Sequence, residues 1–169
     1  NAKPLSQLVD PSCYLPEPVE PIIHEIGERL RVEVSAGRGY LPAGANVLRA
    51  FSQPLPAVKV LIVGQDPIDA GTRSGFELFG GTGVKPPKSL QNIFKELHTD
   101  LGSDSTSGDL TPWSQRGVLL LNRVLTVSPW SGSFTSRLGL GEGYRAAIKA
   151  LVARDSALVA ILWGRQLSR

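Results

Sequence analysis

The chain has 169 residues, of which 41% are apolar and 20% charged, with a mean hydropathy of −0.01 and a formal net charge of +3. This composition excludes a disordered chain, and no apolar run approaches the roughly 20 residues that a membrane-spanning helix needs. The length predicts one domain with a substantial core. Cys13 is the single cysteine, which excludes an internal disulfide and a cysteine-based metal cage.

Two further features concern processing and location. No signal-peptide pattern opens the chain, so we expect a cytoplasmic protein without a membrane partner. The chain has no methionine and stops directly after an apolar run, which favours a piece of a longer product.

The positive charge is concentrated in the second part of the chain. Residues 111–169 carry eight Lys or Arg against two acids, giving +6, whereas residues 1–110 carry ten against thirteen, giving −3. A basic half permits a phosphate backbone as partner, but this excess is modest. Solvated surface charge explains most of these residues.

The chain begins with a proline-rich, irregular stretch over residues 4–18 and then predicts a helix. From Glu20 to about Ala36 the apolar residues start at helical spacing and drift toward alternation in the last turn. The predicted apolar face comprises Ile22, Ile23, Ile26, Leu30, Val32 and Val34. Asn46 could cap a short helix that ends before Pro54.

Strands then alternate with helices. Val58 to Val63 is a β-branched apolar run, typical of a strand that is buried on both faces of a parallel sheet. The remaining predicted elements are a helix from Leu90 to Leu101 with Ser89 as N-cap, a short helix opened by the turn Asp109–Trp113, a buried strand Gly117–Asn122, a helix Tyr144–Ala153 and a buried strand Leu158–Trp163. This order predicts an α/β sandwich built on a parallel sheet, without internal repeats.

Polar residues at the ends of two predicted strands are the candidate site. Gly64 and Pro67 turn the chain out of the sheet, so Gln65 and Asp66 stand where open α/β sheets place their ligand crevice. Asn122 ends the second strand in the same way. A carboxylate and an amide there can orient and activate water. The alternative, which spacing alone favours, is that Asp66 caps the next element and Gln65 is a turn residue.

Other features point to chemistry only weakly. The glycine-rich stretch from Ile68 to Gly83 could cradle a phosphate in a nucleotide-binding module, but it matches neither the Walker nor the dinucleotide fingerprint. His24 and His98 lie in predicted helices and are interpreted as surface or capping residues.

Several motifs resemble family 1 uracil-DNA glycosylases of the bacterial, actinobacterial kind. In the family's order, from about residue 5 to residue 165, they are Leu41–Gly44, Gly64–Pro67, Pro86–Ile93, Gly108–Trp113, Gly117–Val127 and Ile161–Gly164. The resemblance implies a three-layer αβα sandwich around a four-stranded, mostly parallel sheet, with residues 1–169 as one domain. It also implies hydrolysis of the bond between uracil and deoxyribose in single- or double-stranded DNA, by a monomer that needs no metal and no organic cofactor. A protein inhibitor that mimics DNA is a further implied partner.

The resemblance also implies roles for individual residues. Asp66 matches the water-activating aspartate, and Gln65 lines the same pocket. Asn122 matches the asparagine whose amide reads the uracil edge. Phe79 is the stacking aromatic when the match is counted without gaps from Gly64, whereas alignment on Gly75 selects Leu78. The implied DNA contacts are Pro86, Pro87, Ser89 and Ser136.

The chain departs from the family pattern at several points. Ile68 replaces the tyrosine that blocks the 5-methyl group of thymine, and Asp69 adds a second acid near Asp66. Arg137 stands where a histidine is usual. The family's last motif, a His-Pro-Ser-Pro-Leu segment that stabilises the departing uracil and wedges into the base stack, is not found before Arg169. The alternative prediction is therefore a catalytically impaired remnant that still binds DNA or a base.

Overall fold

The computed structural model describes residues 19–40, 47–64, 86, 88–126 and 141–163. Within these ranges helices and strands alternate, as predicted. In chain order they are α1 (Val19–Ser35), β1 (Val60–Gly64), α2 (Lys88–Leu101), α3 (Thr111–Gln115), β2 (Val118–Asn122), α4 (Gly141–Ala153) and β3 (Val159–Leu162). Two short 3-10 helices, Arg49–Ser52 and Leu55–Ala57, lead into β1.

The three described strands form one parallel sheet in the order β2-β1-β3. Strand β1 is central, and its pairing with β2 runs from Val60 opposite Val118 to Gly64 opposite Asn122. A central strand with both faces covered needs a continuous apolar run, which the buried residues Leu61, Ile62 and Val63 provide. The predicted parallel α/β architecture is confirmed. The fourth strand implied by the family resemblance is not among the described residues.

Helices cover the sheet on two faces, so the described part of the chain has the predicted three layers. On one face α4 and the 3-10 helices pack on the odd-numbered residues of β1 and β2. On the other face α2 and α3 pack on Ile62 and Leu120. Helix α1 packs on α4 from outside, where Ile26 and Leu30 form a small cluster with Tyr40. Alternate residues of β1 and β2 thus build two separate apolar cores.

Strand β3 differs from its prediction as a buried strand. All four of its residues are exposed, with Val159 at 59% and Leu162 at 49%. The strand pairs with β1 on one side only, and the described helices cover β1 and β2 rather than β3. Prediction of burial from apolar composition failed here because composition does not reveal which elements cover a strand.

The helices also refine the sequence predictions. In α1, Ile26 and Leu30 are buried one turn apart, whereas Val32 and Val34 are exposed because they point away from that face. Helix α2 begins at Lys88, so Ser89 lies within its first turn instead of at the predicted N-cap position. No helix within the described ranges is both long enough and apolar enough to span a membrane.

Candidate active site

The carboxyl ends of the strands meet at one edge of the sheet. Asn122, the last residue of β2, lies opposite Gly64, the last residue of β1. Beyond this pair, the Arg123 amide donates to the Gly64 carbonyl at 2.9 Å, and the Trp163 amide after β3 donates to the Val63 carbonyl at 2.8 Å. The backbone of all three strands is therefore tied together up to the edge where open α/β sheets hold their ligands.

Asn122 brings a polar side chain to this edge. Leu119, Leu120 and Leu121 are buried, whereas Asn122 is half-buried, so the strand delivers its amide from the core to the rim. An amide offers a donor and an acceptor side by side, which suits the edge of a pyrimidine base. The sequence placed Asn122 at the end of a strand, and the structure confirms that position.

Most of the other predicted site residues lie outside the described residues. This group consists of Gln65, Asp66, Ile68, Phe79, its alternative Leu78, Pro87 and Ser136. Their predicted roles remain predictions. Pro86, Ser89 and Asn122 are the predicted site residues that the structure describes.

A hydrogen bond joins Pro86 to the start of α2. The Gln91 side chain, in the first helical turn, donates from Nε2 to the Pro86 carbonyl at 2.6 Å. Ser89 is exposed on the same turn and is free of the core. Gln91 belongs to the motif Pro86–Ile93, but the sequence pattern predicts no role for it. An amide near a helix start that reaches back to the preceding chain is a recognisable signal for such a role.

Polar contacts at the opposite, amino end of the sheet fix the strand register. The Gly117 carbonyl accepts from the amides of Lys59 at 2.8 Å and Val60 at 3.1 Å. Gln53 donates to the Val118 carbonyl at 3.3 Å and accepts from the Ser114 hydroxyl at 2.9 Å. These contacts join the entries of β1 and β2, so they determine which residues face each other at the far edge.

Arg154 supplies another link at the amino end. Its guanidinium donates to the carbonyls of Leu55 and Val58, and its Nε donates to the Leu151 carbonyl. One half-buried side chain thereby joins the end of α4 to the segment that leads into β1. A bidentate cation suits this task because it can satisfy several backbone acceptors at once.

A further polar cluster holds the turn before α3. Asp109 accepts from the Thr111 amide at 3.0 Å and the Thr111 hydroxyl at 2.5 Å, and Arg49 donates to the same hydroxyl at 3.3 Å. The hydrogen bonds from the Thr111 hydroxyl and amide, with the charge of Arg49, hold the pKa of Asp109 below its usual range. The Asp109 carboxylate therefore stabilises the turn before α3. We assign it no chemistry.

The remaining titratable groups form no metal site in the described ranges. No three of the His, Cys, Asp or Glu side chains there are placed to hold a metal ion together. His24 is exposed, and His98 pairs with Asp104 at 2.8 Å on the surface. Both histidines agree with their interpretation as surface residues.

A parallel sheet with helices on both faces and an amide at its carboxyl edge defines an α/β protein of the class that binds ligands at that edge. A model of the Uracil DNA glycosylase superfamily matches residues 51–169. The uracil-DNA glycosylase of Mycobacteroides abscessus is 54% identical over 171 aligned residues, which cover 98% of this chain and 75% of that protein. The chain belongs to the uracil-DNA glycosylase family.

Solved structures share the fold. A crystal structure of mimivirus uracil-DNA glycosylase has a TM-score of 0.84 at 20% identity, covering 98% of this chain and 64% of that one. A mimivirus UNG variant in complex with UGI has a TM-score of 0.82 at 18% identity, with coverage of 98% and 66%. The chain thus spans about two thirds of the length of these structures. The likeness supports the α/β architecture described above.

Proposed function

We propose that this chain is a uracil-DNA glycosylase, a DNA-repair hydrolase that cuts the bond between uracil and deoxyribose. The pairing of Asn122 with Gly64 carries the proposal, because Gln65 and Asp66 follow Gly64 directly in the sequence. Two residues span at most about 7 Å, and neighbouring strands lie about 4.8 Å apart. This chain length is consistent with the proposed position of Asp66 beside a base that Asn122 holds.

Asp66 is the proposed catalytic residue. A base within a duplex must leave the stack and enter a pocket before its glycosidic bond can be cut. As that bond breaks, the sugar gains oxocarbenium character. A carboxylate beside it stabilises the positive charge and orients the attacking water, and Gln65 lines the same pocket. The reaction needs neither a metal nor an organic cofactor.

Base selection is assigned to three residues. The Asn122 amide pairs with O4 and N3–H of uracil, whereas the cytosine edge presents the opposite pattern. Phe79 stacks on the flipped ring, because stacking needs an aromatic face that Leu78 lacks. Ile68 stands where the family has tyrosine and is shorter, so we propose that it excludes thymine less strictly. An Ile68→Tyr variant should reduce any release of thymine.

DNA binding is assigned to Pro86, Pro87 and Ser89, which we call the proline segment, and to Ser136. Pro86, Pro87 and Ser89 contact the backbone on one side of the lesion, and Ser136 contacts it elsewhere. The hydrogen bond from Gln91 to Pro86 supports this assignment, since it fixes the segment before any DNA arrives. A preorganised backbone segment loses less entropy on binding.

We also propose the oligomeric state, the binding partners and the cellular location of the protein. The protein acts as a monomer on uracil-containing DNA, single- or double-stranded, and a DNA-mimicking inhibitor protein competes for the same surface. It works in the cytoplasm, where bacterial DNA lies. Addition of UGI to the assay below should stop uracil release, and full activity at saturating UGI would remove the inhibitor from the proposal.

The main experiment measures free uracil released from a single-stranded oligonucleotide that carries one uracil. Oligonucleotides with thymine or cytosine at the same position serve as substrate controls. A single strand avoids the energy of unpairing the base, so it reports the chemistry most directly. Uracil release above background supports the function. Binding of the uracil oligonucleotide without release would favour a catalytically impaired binding protein.

Asp66→Asn tests the mechanism. It should lower the rate of uracil release by about 10²–10⁴-fold, the usual contribution of a general base, while the affinity for uracil DNA stays within a few-fold. Asp100→Asn, at the end of α2, removes the same charge from the surface and serves as the matched control. An equal loss of binding and release in Asp66→Asn would contradict its role as a catalytic residue.

A further inference from the structure

Thr126 carries a buried hydroxyl without a hydrogen-bond partner. Its exposed fraction is 0%, and within the part of the chain that the structure describes its Oγ1 is the buried side-chain polar atom left unpaired. Burial of a hydroxyl without a hydrogen bond is unfavourable, and such groups are rare in native proteins. An unpaired group of this kind requires an explanation.

Several other hydroxyls in the described ranges are paired, including some near the surface. Thr111 donates to Asp109, Thr99 donates to the Lys95 carbonyl, and Ser114 donates to Gln53. A valine would fill the space of Thr126 without a buried polar atom. The folded protein alone therefore gives no reason for threonine at this position.

The location of Thr126 suggests the reason. It lies four residues after Asn122, in the chain that follows β2. That segment is fixed at its start by the hydrogen bond from the Arg123 amide to the Gly64 carbonyl. It is fixed further on by Leu125, which is buried in the core cluster on the α4 face. Thr126 is thus buried next to Leu125 in the chain, four residues beyond the candidate base-reading amide.

We propose that Thr126 is a positioning residue for uracil recognition. When a base occupies the site, the Thr126 hydroxyl gains a hydrogen bond, either directly or through one buried water, and thereby fixes the segment that follows Asn122. The free protein tolerates an unpaired group that the bound state uses, which is the usual reason for a local violation of packing rules at functional sites. This inference rests on the function proposed above.

The test compares Thr126→Val, which keeps the shape and removes the hydroxyl, with Thr126→Ser, which keeps the hydroxyl. Thr99→Val on the exposed face of α2 is the matched control. Melting temperature and kcat/KM for uracil release from the single-stranded oligonucleotide are measured for each. Thr126→Val should melt at the same temperature or about 2–4 °C higher, because an unpaired buried hydroxyl is removed. Its kcat/KM should fall about five- to tenfold, the value of one hydrogen bond.

Thr126→Ser should show the opposite combination. It should retain kcat/KM within about twofold, yet melt at a lower temperature because the lost methyl group leaves a cavity. A purely structural threonine would lose activity only in step with stability. Opposite movements of the two measurements are therefore the signature of a positioning role.

Three results would overturn the inference. Full activity of Thr126→Val would show that the hydroxyl is not used. A lower melting temperature or failure to fold in Thr126→Val would show that the hydroxyl is already paired in the free protein. Absence of uracil release by the unmodified chain would overturn the proposed function and this inference together, whereas release with unchanged Thr126→Val overturns the inference alone.

Discussion

Gly117 offers a sharp test of how the sheet register is set. It adopts φ +90°, and a Cβ atom added there would lie 2.5 Å from the Ala57 carbonyl oxygen. The neighbouring atoms are backbone and the Lys59 side chain, and the obstructing oxygen cannot rotate away as a side chain could. The Gly117 carbonyl meanwhile accepts from two amides at the start of β1. Gly117→Ala should therefore strain the junction of β1 and β2.

The expected loss of stability has two parts. A left-handed backbone conformation costs an alanine about 1–2 kcal/mol relative to glycine, and overpacking against the Ala57 oxygen adds about 1–3 kcal/mol. The sum is about 2–5 kcal/mol, a large part of the 5–15 kcal/mol that stabilises a typical domain. At about 2–4 °C per kcal/mol for a chain of this size, the melting temperature should fall by roughly 4–20 °C.

Urea and thermal unfolding, followed by tryptophan fluorescence, measure this loss. Gly102→Ala is the matched control, because Gly102 has φ +63° but nothing within 4 Å of an added Cβ. Its loss should be confined to the conformational part, about 1–2 kcal/mol. If Gly117→Ala destabilises the protein no more than Gly102→Ala, the close approach to Ala57 does not constrain the sheet and the reasoning is refuted.

Three further variants test the site and its supports. Gln91→Ala should raise KM for uracil DNA several-fold, because the proline segment loses its hydrogen bond; Asn92→Ala, exposed on the same turn, is the control, and equal KM values would contradict this. Asn122→Asp should lower the ratio of uracil to cytosine release at least tenfold, since a carboxylate accepts from the cytosine amino group; an unchanged ratio would refute base reading. Asp109 has a lowered pKa in the folded state, so it stabilises the protein above pH 4 and loses this effect as pH falls below its unfolded value of about 3.9. Asp109→Asn should therefore lower the urea midpoint at pH 7 more than at pH 2.5, and an equal reduction at both would contradict the assigned pKa.

Strands β1 and β2 were predictable because their sequences leave little choice. Apart from Lys59, Val58–Val63 and Gly117–Asn122 are short apolar runs bounded by glycine or polar residues, and such runs are typical of parallel strands that are buried on both faces. The observed strands, Val60–Gly64 and Val118–Asn122, differ from these predictions by one or two residues. Asn122 at the end of β2 followed from the same pattern, and its position opposite Gly64 follows once the two strands pair in parallel.

The contacts that fix the register were not predictable, since they join residues far apart in sequence. Gln53 meets Val118 and Ser114 across more than 60 residues, and Arg154 meets Val58 across 96. The positive φ of Gly117 was not predictable either, because a glycine before a strand is usually interpreted as an ordinary turn residue. Its necessity arises from the Ala57 carbonyl that the fold brings against it.

The unpaired hydroxyl of Thr126 could not be predicted from the sequence, for a related reason. A threonine within an apolar run is an ordinary β-former, and its side chain commonly finds a partner. Only the packing of Leu125 and the bend after Asn122 reveal that this hydroxyl is buried without one. The sequence thus predicted the position of Asn122 at the end of β2 but not the buried, unpaired hydroxyl four residues after it.

The contacts that fix the strand register lie at the amino end of the sheet, whereas the candidate site lies at its carboxyl end. The amino end holds the Gly117 carbonyl and the side chains of Gln53 and Arg154, which join β2, β1 and the segment before β1 through hydrogen bonds to backbone atoms. The carboxyl end holds the half-buried amide of Asn122, and the unpaired Thr126 hydroxyl follows four residues later in the chain. Because the strands are parallel and in fixed register, a contact at the amino end sets the spacing of Gly64 and Asn122 at the other end. The contacts that determine this spacing therefore lie at the opposite end of the sheet from the candidate site, so variants at the amino end should change stability before they change base recognition.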